Sequence, residues 1–442
     1  MSDALPLPPR PNLEQYKKRA KDLVKLLKAG DRDALRAWLT EWLETLVELH
    51  QLDLSLPRED NADERRIEIE RTVDRLLKHL GAIMQPSCTL AQAQFAIARE
   101  HGFASWPKFA GHIEGLSRDQ SEVSEFEAAV DAIVAGNLET LDALLRANPE
   151  LAKTRSSREH RSTLLHYVSA NGVEDFRQKT PKNIVQIAKR LLDAGADVEA
   201  ESDAYGGRST TLGLTATSYH PDAAGVQIPL LELLIDRGAS LDGPERPSII
   251  NSCLHNGRGK AAEFLAARGA RLDLEGAAGV GRLDVVQTFF EADGGLKPSA
   301  TFQQMKDGLA WACEFGRTEV VQFLLDADRR AGARLSQSGH NGLHWAAYTA
   351  NPALVTLLLE QGTPVQTKDE RHNGAPLEWA LYGWHNPPPG ARPENYYKVV
   401  ALLVQSGATP DSTWFDEVAN RQRAANKIQS DARMLAALRG AF

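Results

Sequence analysis

Two short stretches constrain this chain more than anything else in it. Gly342-Leu343-His344-Trp345-Ala346-Ala347 reads as a short helix opened by a tight turn. Ten residues on, Leu357-Leu358-Leu359-Glu360-Gln361-Gly362 reads as the end of a longer helix closed by a glycine. Ala346 and Ala347 are small, as close helix packing requires. Val355, Leu357, Leu358 and Leu359 give the second helix an apolar stripe, and Gly362 supplies the left-handed residue that ends it. Polar turn residues, Asp369 and Asn373-Gly374, then lead onward. A helix pair this small cannot bury both apolar faces alone, so it must stack on copies of itself.

Copies are present. Taking His344 as anchor, the equivalent positions are Val130, His166, Gly213, Asn251, Glu275, Ala310, His344 and Glu378, spaced by 36, 47, 38, 24, 35, 34 and 34 residues. The fullest copies of the first helix are Ser162 to Tyr167, Gly342 to Ala347 and Ala375 to Ala380. The second helix ends alike in Leu191 to Ala196, Leu234 to Ala239 and Leu403 to Ala408. A period near 33 with a Thr-Pro-Leu-His-x-Ala core marks the ankyrin repeat, and the chain from about 124 to 410 resembles that family in about eight units. Several copies replace the histidine, and none carries the full Thr-Pro-Leu-His. The resemblance implies an all-α ankyrin-repeat solenoid. It also implies a structural role for His166 and His344, which would tie neighbouring turns together by hydrogen bonds.

The flanks divide the chain further. Residues 1–120 read as an N-terminal helical region. A proline-rich, extended start (Pro6, Pro8, Pro9, Pro11) precedes a helix from Leu13 with Tyr16, Ala20, Leu23, Val24 and Leu27 on one stripe. Ala29 to Leu39 runs in register with Ala135 to Leu145, as a degenerate helix pair of the repeat type would. Residues 52–66 read as a charged, proline-broken loop before a helix over about 66–81. Leu90 to Glu100, closed by Gly102, and a helix begun by Ser105 form a hairpin; it is similar to a segment that precedes ankyrin arrays in bacterial proteins. This region is expected to cap the first repeat, or else to dock a partner, and a linker over 117–124 joins it to the array. Residues 411–442 read as a C-terminal cap, with one closing helix from Trp414 to Leu438 that turns Val418, Ile428, Met434 and Leu435 inward.

From anchor to closing pair the count is 14 in five repeats but 25, 21 and 25 in the second, third and eighth. The extra segments, 172–183, 219–228 and 383–396, all fall between the two helices. Insertions at one repeat position project from one face, which is often functional; surface loops also tolerate added length cheaply. Pro387, Pro388, Pro389 and Pro393 argue against regular structure in the last of them, which is expected to be dispensable for folding.

Composition removes several function classes. A net charge of −8 gives no global basic field for nucleic acid or an anionic membrane. The start has neither a basic flank nor an apolar run, and no stretch approaches the ~20 apolar residues of a membrane span, so a cytoplasmic protein is expected. Cys88, Cys253 and Cys313 are too few and too scattered for a disulfide framework or a zinc site. His340 and His344 stand four apart, but Asn341-Gly342 between them reads as a turn, so no metal site is expected. Gly276 to Gly281 lacks the strand that a phosphate-binding loop needs. No catalytic motif and no cofactor is expected.

One feature stands above this background. Trp311, Trp345 and Trp379 recur at spacings of 34 and 34, each just after the anchor, so all three should point the same way in consecutive repeats. Such rings either pack between stacked units or line the groove as interface anchors. Tyr382, Trp384 and His385, beside the eighth repeat's insertion, would enlarge the patch. The expected function is non-catalytic binding of a protein partner through the concave face and the inserted loops. The alternative is an enzyme or small-molecule site near Trp345, Trp379, Glu378 and His385, where a carboxylate replaces the structural histidine.

Overall fold

The computed structural model describes residues 4–50, 62–243, 247–333, 336–337, 339–411 and 426–441. The chain is mostly helical and divides into two compact units, Met1–Ser240 and Leu241–Phe442. The division falls inside the expected array, after its third helix pair.

The first unit begins with five helices: α1 (Leu13–Ala29), α2 (Arg32–His50), α3 (Ala62–Gly81), α4 (Leu90–Glu100) and α5 (Trp106–Leu116). Tyr16, Ala20, Leu23 and Leu27 of α1 meet apolar residues from all four other helices in one core; Val24, expected among them, is half-buried. The extended start is part of that core. Leu5 and Leu7 are buried, the Leu5 N–H donates to the Glu100 carbonyl at 2.7 Å, and His101 Nδ1–H donates to the Leu5 carbonyl at 2.9 Å. Residues 4–116 therefore have an interior of their own. Most of the expected 52–66 loop lies outside the described residues.

The internal echo seen in the sequence has a local structural basis. Gly30 (φ 67°) and Gly136 (φ 74°) both end a helix in the left-handed conformation. One residue later Asp31 Oδ1 accepts from the Ala34 N–H at 2.9 Å, and Asn137 Oδ1 from the Thr140 N–H at 3.0 Å, which caps the next helix. The linker is shorter than expected: Ser121 caps a helix that already starts at Glu122.

Three helix pairs follow in this unit: α6 (Glu122–Ala135) with α7 (Leu138–Ala147), a 3₁₀ turn Leu164–Ser169 with α8 (Ile184–Asp193), and α9 (Thr211–Thr217) with α11 (Gln227–Asp236), the short α10 (Tyr219–Ala223) lying between the last two. The second unit carries α12 (Ile249–His255) with α13 (Gly259–Ala267), α14 (Leu274–Val280) with α15 (Leu283–Gln287), and α16 (Phe302–Glu314) with α17 (Thr318–Ala327). After the short α18 (Arg330–Ala333) come α19 (Gly342–Tyr348) with α20 (Pro352–Glu360) and α21 (Pro376–His385) with α22 (Asn395–Gln405). Leu354, Val355 and Leu358 are the fully buried residues of α20, while Leu357 and Leu359 flank them half-buried. The glycines of 276–281 serve packing. A Cβ on Gly279 would stand 2.5 Å from Leu254, and one on Gly276 2.7 Å from Asn251.

Three expectations need correction. The segment 172–183 does not project: Val173 and Glu174 are fully buried and Arg177 nearly so. The segment 383–396 is only partly loop. The helix α21 runs on through His385, a Cβ on Gly383 would strike the Tyr348 carbonyl at 2.6 Å, and fully buried Tyr396 donates its hydroxyl to that same carbonyl at 2.6 Å. The closing helix is not continuous. Asp431 is extended and caps a separate helix, Ala432–Ala437, by accepting from the Arg433 and Met434 N–H groups. Trp414 and Val418 lie outside the described residues.

Two predictions follow from this packing. Shortening the loop within 387–394 should leave circular dichroism and the denaturation midpoint unchanged, whereas a deletion that takes Gly383, Trp384 or Tyr396 should unfold the last pair. The second concerns acid. Burial lowers His101 to about 3, and His112 and His166 to about 4, in the first unit. An imidazole held neutral in the fold takes up its proton on unfolding below about 6.5. That stability is thus lost as pH falls from about 6.5 toward 4. In the second unit burial lowers His344 to about 4 but raises Glu275 to about 7 and Glu314 to about 8. Those carboxyls bind protons more tightly folded than unfolded, so acidification favours them. Hydrogen exchange at pH 7 and pH 5 should show protection falling more in α6 than in α19; equal losses would contradict these assignments.

Candidate functional site

The aromatic ladder is set by how α19 and α21 are held. Asn341 Oδ1 accepts from the Leu343 N–H at 3.1 Å and starts α19. His344 Nε2–H donates to the Gly374 carbonyl at 3.2 Å, and Nδ1 accepts from the Asn341 N–H at 3.2 Å. His166 is used alike: Nε2–H donates to the Ser209 carbonyl at 3.2 Å, and Nδ1 accepts from the Thr163 N–H at 3.1 Å. Glu378 does the same work with a carboxylate. One oxygen accepts from the Ala375 N–H at 3.0 Å and the other from the Asp411 N–H at 2.9 Å. Burial raises its pKa. Both oxygens are occupied, so Glu378 is not the free carboxylate that the alternative reading required.

With the anchors fixed, the next residue in each helix falls on a common face. Trp311, Trp345 and Trp379 are all half-buried. The rings of Trp345 and Trp379 meet edge to face, centroids 5.2 Å apart. His340 packs on Trp379 at 4.7 Å and on Trp345 at 5.4 Å. Tyr348 lies 6.0 Å from Trp379 and stacks on Tyr382 at 6.3 Å. The indole N–H of Trp379 donates to Asp369 Oδ2 at 3.0 Å. Burial acts to raise the Asp369 pKa but is outweighed by the Trp379 bond and three backbone N–H bonds, so the carboxyl sits below its ordinary value. Tyr382 is 40% exposed and carries the surface outward.

The other two sequence candidates lie differently. Trp384 is buried, packs on Tyr397, and has the Lys427 ammonium 4.2 Å from its ring centre. His385, half-buried, is the last residue of α21. Trp384 points inward because the helix continues through it: two residues beyond exposed Tyr382, it sits on the opposite face.

Trp311 and Trp345 line a cavity of about 230 Å³ together with Asp307, Glu314 and His340. The recess surrounds the Glu314 carboxyl closely enough to raise its pKa to about 8 against the pull of Arg258. Sequence reasoning missed Glu314, although it stands three residues after Trp311 and so shares its helix face.

A second, larger cavity was wholly missed. It measures about 530 Å³ in the first unit, and its lining includes Arg75, Phe95, Glu100, His160, Glu174 and Tyr205. Phe95 (51% exposed) and Tyr205 (56%) stand at its rim. Tyr205 has φ 53° and is followed by Gly206 and Gly207 at 95° and 104°, so the rim is a tight left-handed loop. Behind it lies a buried ion network. Glu127 accepts from Arg158 and Arg177, each at 2.6 Å; Glu174 accepts from His160 and from the Tyr167 hydroxyl, each at 3.1 Å, and forms an ion pair with Arg158 Nε at 3.1 Å. Burial alone would raise both acids, but the guanidinium groups outweigh it. Glu127 is lowered to about 2 and Glu174 well below its ordinary value. The signal in the sequence was the charge of an insertion that carries Glu174 and Arg177 between apolar helices. Arg177→Leu should destabilise the first unit by about 3–5 kcal/mol, because it strands buried carboxylates. Hydrogen exchange in α6 checks this; a loss under about 1 kcal/mol would mean that water screens the network.

Comparison with known proteins places these repeats. A family model for ankyrin repeats (3 copies) matches residues 274–369 and 309–413. Residues 274–413 thus match ankyrin repeats, and with the helix-pair geometry this supports an ankyrin-repeat protein with an all-α solenoid fold. Among solved structures, the human ASB11 ankyrin repeat domain is similar at 19% identity, over 64% of this chain and 99% of that one, with a TM-score of 0.32. No curated protein matches the chain. Ankyrin repeats generally serve as protein–protein interaction modules. Among the described residues no helix is long and apolar enough to cross a membrane, and no group of acidic, histidine and cysteine side chains could hold a metal ion.

Proposed function

We propose that this protein is a non-catalytic binding module that engages a protein partner through the aromatic face of its last repeats. The observation that carries this reading is the continuous ring surface running from His340 through Trp345, Trp379 and Tyr348 to exposed Tyr382. Tryptophan and tyrosine in half-buried, preordered positions are the usual anchors of protein interfaces. A net charge of −8 favours a protein partner over nucleic acid. Three buried cysteines that form no disulfide suit a reducing cytoplasm.

Tyr382→Ala is the cleanest test. An exposed ring contributes little to stability, so denaturation should shift by no more than about 0.5 kcal/mol. Affinity for a partner captured from cytosol by the unaltered protein, then purified and titrated, should weaken by about 2 kcal/mol, roughly 30-fold. Trp345→Ala should weaken the same complex. A partner that binds both variants with unchanged affinity would place the interface elsewhere.

A further inference from the structure

The cavity between Trp311 and Trp345 is furnished for a particular kind of guest. Asp307, nearly buried, accepts from Gln303 Nε2 at 3.0 Å and from the Gln337 N–H at 2.5 Å. Glu314, one to two turns further along α16, makes no hydrogen bond among the described residues. His340 is only 7% exposed, yet neither ring nitrogen has a hydrogen-bond partner among the described residues. Ser336, 8% exposed, has an unbonded hydroxyl beside it. Buried polar groups are nearly always hydrogen-bonded, so those that line a cavity without a protein partner are available to a guest. Four oxygen or nitrogen acceptors and two indole rings converge on a space of about 230 Å³.

We propose that this cavity receives a guanidinium group, the arginine side chain of the protein partner. The guanidinium is planar, carries five N–H donors and no acceptor, and stacks on aromatic rings. Asp307, Glu314, the His340 lone pair and the Ser336 hydroxyl match those donors, and Trp311 and Trp345 match its faces. An anion finds no such match, since the cavity wall holds two carboxyl groups. The surrounding charges bear this out. Glu275 and Asp273 on the side of α14 add to Asp307 and Glu314. Arg258 acts on Glu314, and Arg371 and His255, both exposed, also line the cavity. Acidic groups outnumber arginines in this set.

Binding is coupled to a proton. Glu314, half-buried, keeps its proton up to about pH 8 because the recess desolvates its carboxyl. A cation in the cavity favours the carboxylate, so its arrival releases a proton. Affinity therefore rises with pH until Glu314 is ionised in the free protein, and the guanidinium itself stays charged throughout. The inference rests on the binding-module reading, because it supposes that the arginine belongs to a partner docked on the aromatic face.

The test uses the full chain with N-acetylarginine amide and its uncharged isostere, N-acetylcitrulline amide. Calorimetric titration should show the arginine probe binding at least about tenfold tighter, and roughly tenfold tighter at pH 8.5 than at pH 6.5. Glu314→Gln should abolish that pH dependence, and Asp307→Asn should weaken binding at both pH values. Circular dichroism confirms that each variant is folded, and Trp311→Phe preserves packing while reducing the aromatic face. Equal binding of the two probes, no binding at millimolar concentration, or a pH dependence that survives in Glu314→Gln would overturn the proposal. If the probe fails while Tyr382→Ala still loses the partner, the arginine pocket alone is wrong. If the probe binds while partner affinity ignores Tyr382 and Trp345, the protein-binding face is wrong and the cavity is a small-cation site.

Discussion

One contact governs three of the repeats: a polar side chain at the anchor position reaches from its own helix start to the backbone of the next loop. His166 reaches the Ser209 carbonyl, His344 the Gly374 carbonyl and Glu378 the Asp411 N–H. The partners differ because the side chains differ. A neutral imidazole donates to a carbonyl, while a carboxylate accepts from an N–H. Either way two successive turns are held at a fixed offset. The consequences are steric as well as polar. A Cβ on Gly342 would lie 2.6 Å from the Cys313 sulfur, so glycine at the start of α19 is a condition of the same close approach. Leu343, Ala346 and Ala347 are then fully buried without any room for larger side chains.

That fixed offset turns a sequence repeat into a surface. Residues that follow the anchor must point alike, and the spacing of 34 residues between Trp345 and Trp379 becomes a ring contact of 5.2 Å. Trp379 also binds Asp369, whose carboxylate organises the loop holding Gly374, the residue that His344 grips. Ring surface and inter-repeat tie thus share one loop. For this reason Trp379 is a poor probe of binding by itself, and Tyr382, outside that circuit, is a better one.

What was legible in the sequence was what has a period. The anchors, the small residues of the first helix, buried Leu358 and the alignment of the three tryptophans all follow from counting. Insertions have no period, and there the reading failed for physical reasons. Glu174 and Arg177 looked like solvated loop residues, since isolated charges are expensive to bury. They are buried as members of a network with Glu127, Arg158 and Tyr167, and no spacing rule reports such compensation. Trp384 looked like part of the aromatic patch because it follows the ladder closely. Helix α21 runs one turn further than its relatives, which rotates Trp384 to the inner face. Glu314 escaped notice because a carboxyl on a helix face is unremarkable until its neighbours close over it.

The buried charges of the two units make opposite demands, and this separates their roles. Around Glu174 every carboxylate has guanidinium partners, and burial is fully compensated except for one glutamate oxygen. Such a set fixes one arrangement of the insertion against α6; it is finished. Around Glu314 compensation is missing. Its carboxyl keeps a proton that water would remove, the His340 nitrogens have no hydrogen-bond partner among the described residues, and two indoles line the same cavity. Leaving buried polar groups unsatisfied costs stability in the free protein. A cation that enters recovers this cost through bonds that the fold alone does not supply, so the incomplete set, not the complete one, is where recognition is expected.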